Sequence, residues 1–119
     1  MNSIPLYDAT APIACTAADD EIPTRIAQVE RMRAALDHLD RTEHGLLLRF
    51  PNEPAVEAEV WRFVMDEERC CTFWGFEIDT TPDQITLRWD GPPDVADFLD
   101  RLHAYFIGDV PLTAVTSLL

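Results

Sequence analysis

Apolar residues recur along this chain at two spacings, three-to-four and two, and the changes of spacing mark its elements. Ile26, Val29, Met32, Leu36 and Leu39 fall at three- and four-residue steps, which predicts an amphipathic helix over roughly 22–40. Asp19, Asp20 and Thr24 suit its start as caps and Pro23 its first turn. Arg25, Glu30, Arg31, Arg33 and Asp37 supply its polar face. Leu46, Leu47 and Leu48, followed by Phe50 and stopped by Pro51, predict a central strand. Asn52 and Pro54 then open a second helix, whose stripe is Val56, Val60, Phe63 and Val64 and which runs to about Cys71. Trp74, Phe76 and Ile78 alternate with polar positions, as do Ile85, Leu87 and Trp89. Between them Thr80-Thr81-Pro82-Asp83 is turn chemistry, so the two runs predict an antiparallel hairpin. Gly91-Pro92-Pro93-Asp94 leads into a last helix with the stripe Val95, Phe98, Leu99, Leu102 and Phe106, ended by Gly108.

The predicted order α-β-α-β-β-α describes an α+β two-layer sandwich, about three strands with helices on one face. The helix between the first two strands permits one parallel pairing through a right-handed crossover. Residues 1–119 read as a single domain. Within it 1–20 form an irregular N-terminal arm, and 109–119 an apolar C-terminal extension suited to a strand, a docked tail or a homodimer contact.

Charge narrows the partners. Acidic residues outnumber basic ones 22 to 9, a formal charge of −13. Such a surface repels phosphates, so neither nucleic acid nor an anionic membrane is an expected partner. No apolar run reaches the roughly 20 residues of a membrane helix. Met1 to Tyr7 lacks the features of a signal peptide. The expected location is cytoplasmic.

The chemistry lies in sulfur. There are three cysteines, an odd number, and in a reducing compartment a disulfide framework is not expected. Extending the stripe Val56, Val60, Val64 by helical steps reaches Glu67 and then Cys71. Glu67 is thus a core-facing carboxylate with Cys70 and Cys71 three and four residues on. One chemistry this suits is a soft metal or metalloid ion, such as zinc, copper(I), mercury or arsenite. Cys15, Cys70 and Cys71 would be its ligands, with Glu67 a ligand or a group behind them. Another is a small thiol-dependent enzyme using Cys70 or Cys71 as nucleophile and Glu67 as acid–base partner. A helix C-terminus and a nearby carboxylate raise a thiol pKa; a bound cation reverses that. A third reading is an interaction module whose cysteines only pack, with Glu67 held by Arg69, Arg25 or a backbone amide. The C-C pair lacks the C-x-x-C spacing of a zinc site. His38, His44 and His103 share no helix turn with a cysteine. Trp61, Trp74 and Trp89 read as core, and Asp94, Asp97 and Asp100 as a solvated face.

Ile13-Ala14-Cys15-Thr16 before the first helix, with Glu67-Glu68-Arg69-Cys70-Cys71-Thr72-Phe73 before the hairpin, resembles a family of small bacterial proteins. Its members carry an early I-A-C segment and a central E-R-x-C-C-P-F motif. The likeness spans roughly residues 12–106. It implies a heavy-metal response and places Glu67, Cys70, Cys71 and Cys15 on the motif positions. Thr72 stands where the motif has Pro, and Glu68 where it has Arg. Together the residues and the resemblance favour a non-catalytic soft-ion binding protein, a sensor or carrier.

Overall fold

The structure is a computed structural model that describes residues 6, 7, 10, 11, 13 and 22–112. The predicted caps Asp19 and Asp20, the cysteine at position 15 and the tail 113–119 lie outside the described residues. The order of elements is α1 (Ile22–Ala35), β1 (His38–Arg41), β2 (Gly45–Pro51), α2 (Pro54–Cys70), β3 (Gly75–Thr80), β4 (Gln84–Asp90), a short 3-10 turn Pro93–Val95, and α3 (Ala96–Phe106). The class is α+β, as the spacing of apolar residues predicts.

Four strands form the sheet, in the order β1-β2-β4-β3, and every pairing is antiparallel. Two expectations change with this. The first helix stops at Ala35 rather than near residue 40, because His38–Arg41 peels off and pairs with Leu46–Arg49 through the turn at 42–44. The crossover through α2 gives no parallel pair, because β4 lies between β2 and β3 and pairs antiparallel with both.

Strand alternation sorts the faces. Leu46, Leu48, Phe50, Ile85, Leu87 and Trp89 are buried under the helices, whereas Leu47, Arg49, Thr86 and Arg88 between them are not. Trp89 is fully buried at the centre of this layer, its ring 5.2 Å from Phe63, 5.4 Å from Trp74 and 5.5 Å from Phe76. Phe98, Leu99, Leu102 and Phe106 close the core from α3, and Arg41 ties that helix to the β1–β2 turn by donating to Asp100 Oδ1 at 2.9 Å. Trp61 departs from its core assignment: it is 48% exposed, beside the Val60 and Val64 stripe rather than in it. Asn52 does not cap α2 either. Glu53 holds that position, and the Asn52 amide donates to the Thr81 carbonyl instead. Gly108 adopts φ 91°, the left-handed turn that closes α3.

Gly45 faces Asp90 in the β2–β4 register, where a Cβ would overlap the carbonyl oxygen of Trp89. Gly45→Ala is therefore expected to break the sheet centre, since main chain cannot move aside as a side chain does. Leu48→Ala, a cavity in the same layer, is expected to cost about 2–5 kcal/mol. Urea unfolding measures both, and a Gly45→Ala protein as stable as the parent would contradict this packing.

Candidate functional site

The site lies where the C-terminal end of α2 meets the first turns of α1. The two helices run antiparallel and are joined by polar pairs along their seam. Arg25 Nη2 donates to Glu67 Oε1, Gln28 Nε2 donates to Asp66 Oδ2 at 2.8 Å, and Arg31 Nε donates to Glu59 Oε1 at 2.9 Å. The pairs differ in depth. Arg31 is 54% exposed, while Arg25 and Glu67 are 2% and 0% exposed.

Glu67 is where the stripe predicts it, on the buried side of α2. Its partner is not. Arg25 belongs by pattern to the polar face of α1, yet the structure turns it inward onto the carboxylate. Arg69, the other candidate, approaches Asp66 at 3.8 Å. Burial raises the pKa of Glu67 to about 7, despite the opposing charge of Arg25 and with help from the neighbouring Asp66. Burial also works against the Arg25 charge, but the Glu67 carboxylate and the Cys70 sulfur together outweigh it and raise the Arg25 pKa. The guanidinium therefore stays charged, and the proton that comes and goes is that of Glu67.

The two vicinal sulfurs have different fates. Cys70, the last residue of α2, is a buried reduced thiol, and its sulfur is one of the smaller influences that raise the Arg25 pKa. Cys71 caps the helix, its N–H donating to the Glu67 carbonyl at 2.7 Å, and it is fully buried. Its sulfur is disulfide-bonded. This corrects the expectation that no disulfide forms: the buried Cys71 sulfur meets a second sulfur, and its partner lies outside the described residues. Cys15 lies outside them too. A disulfide sulfur is not a thiolate ligand, and among the described residues no group of three or more His, Cys, Asp or Glu could hold a metal ion.

At the far end of the same seam Met32, Ala35, Phe50, Val56 and Val60 line an apolar cavity of about 220 Å³. Val60 is ten residues from Cys70, roughly 15 Å along the helix. Cavity and thiol are separate features. Of the partners the sequence offers Glu67, the structure selects Arg25, a residue that spacing alone puts on the polar face of α1.

The titration of Glu67 has a definite sign. Its folded pKa, about 7, stands above the ordinary 4.5. Below 4.5 both states hold the proton and the contribution is complete. Between the two values only the folded chain holds it, so stability falls as pH rises. The expected slope from this group is at most about 1.4 kcal/mol per pH unit, and Glu67→Gln is expected to remove it. Urea unfolding across that range measures the slope, and one that persists in the variant would assign it to another group.

Comparison with protein families, with curated proteins and with solved structures finds no match to this chain, so the site is read from its own residues.

Proposed function

We propose that this chain works through thiol–disulfide chemistry at the end of α2, with the Cys71 disulfide as its reacting group and the Cys70 thiol beside it. One observation carries the reading. A reduced thiol and a disulfide sulfur occupy adjacent positions, at the helix end that also carries the buried Arg25–Glu67 pair.

The reaction is exchange with a dithiol reductant. One thiolate of the dithiol attacks a sulfur of the Cys71 disulfide, forming a mixed disulfide and releasing the other sulfur as a thiolate. The second thiol of the reductant then loses its proton and closes a ring disulfide. The remaining protein sulfur is released and both protein thiolates take up protons. Two electrons pass from the dithiol to the protein. The product carries vicinal thiols at 70 and 71. Cys71 is fully buried and Cys70 only 5% exposed, so exchange proceeds through local opening of the α2 end rather than of the whole domain.

Peptide mapping of the unreduced protein is expected to find Cys71 linked to a cysteine other than Cys70. Titration against a dithiol redox buffer is expected to show one two-electron transition, absent in Cys71→Ser and retained in Cys70→Ser. Aerobically purified protein with every sulfur reduced and no transition would sink the proposal. Elemental analysis of the reduced protein distinguishes the soft-ion reading: a stoichiometric thiophilic metal would favour that reading instead.

A further inference from the structure

We propose that the apolar cavity between α1 and the first turns of α2 is a binding site for a small uncharged apolar molecule, an aromatic ring or branched hydrocarbon of roughly ten heavy atoms or fewer. The site is separate from the sulfurs and stands without the thiol–disulfide reading.

Size, lining and charge point to that class. The cavity measures about 220 Å³. At the packing density of a protein interior, about three quarters, it takes roughly 160 Å³ of molecule. A dry apolar cavity of about 150 Å³ already takes benzene, so one ring with a short branch fits. Its walls include Ala35 from α1 and Ala55 from α2, side chains too short to fill the gap between the helices. Met32, Phe50 and Val60 are almost wholly buried and form the floor, whereas Ala55 and Arg31 are exposed and form the mouth.

The lining offers a polar ligand nothing. No residue of it has a buried side-chain nitrogen or oxygen in want of a partner. A hydroxyl or amide carried to the floor loses its water and finds no side chain to bond, at a cost of about tenfold in affinity. The mouth is already neutral. Arg31, the only cation among the lining residues, gives Nε and Nη2 to Glu59 Oε1 at 2.9 and 2.8 Å. An anion has to compete with Glu59 and approach a chain of net charge −13. A cation has to displace Arg31 and then desolvate against apolar walls.

Methyl-resolved NMR of the whole chain, with toluene as the probe, reads the site. Toluene is expected to shift the methyl signals of Met32, Ala35, Val56 and Val60, with a dissociation constant on the order of 1 mM or tighter. Those of Leu99 and Leu102, on α3, are expected to stay in place. Ala35→Leu, which fills the space, is expected to weaken binding at least tenfold. Ala55→Leu narrows it from an exposed position, is expected to act in the same direction, and serves where Ala35→Leu does not fold. Arg31→Gln is expected to leave the affinity within about threefold, because the mouth charge takes no part. Benzoate and benzylamine, the same ring with a charge of either sign, are expected to bind at least tenfold more weakly than toluene. No shifts, shifts spread over the whole molecule, or parental affinity in the filled variants overturn the site. Benzoate or benzylamine binding as tightly as toluene, or loss of toluene binding in Arg31→Gln, overturns the uncharged apolar class and the proposal with it.

Discussion

The buried pair between Arg25 and Glu67 sets how α1 lies on the rest of the molecule. α1 buries only two apolar side chains fully, Val29 and Met32, together with Arg25 and Gln28. Apolar contact alone leaves the register of such a helix loosely fixed. The polar pairs fix it, because Arg25 has to meet Glu67 just where Gln28 meets Asp66 and Arg31 meets Glu59. Desolvating two charges cancels much of their attraction, so a buried pair of this kind is weak evidence for stability. Removing one partner is another matter, costing about 3–5 kcal/mol, since the other charge is left buried and unmatched. The pair specifies one arrangement of the two helices more than it strengthens the fold.

That arrangement decides what surrounds the sulfurs. A helix C-terminus carries partial negative charge, and α2 adds Asp66 and Glu67 in its last turns. Taken alone, such a helix end disfavours a thiolate. Arg25 brings a permanent cation to the same place from a different element. Its guanidinium answers the carboxylate. Burial meanwhile weakens the carboxylate charge by holding the Glu67 pKa near 7.

Much of this was legible in the chain. Stepping from Val56 through Val60 and Val64 puts Glu67 and Cys71 on the buried side of α2, and both are fully buried. The alternation in β3 and β4 marks their hairpin. β1 was hidden because His38-Leu39-Asp40-Arg41 has a single apolar residue, and Leu36 and Leu39 happen to continue the helical spacing of α1. Arg25 was one candidate partner of Glu67, but its burial was hidden, because periodicity sorts residues by polarity and a buried arginine breaks that sorting. Strand direction depended on where β4 inserts, a long-range choice that no local spacing encodes. Disulfide pairing escaped for the same reason, since no local spacing says which cysteines meet.

The asymmetry of the vicinal pair follows from the backbone itself. Cys70 is the last residue with helical geometry, and its side chain stays buried on the helix. Cys71, at φ −128° and ψ 79°, has left the helix. Its carbonyl accepts from the Trp74 N–H at 3.2 Å as the chain turns through Thr72 and Phe73 toward β3. One peptide bond therefore separates two sulfurs of different fate, one a buried thiol and one in a disulfide. Ending α2 between two cysteines makes their surroundings differ.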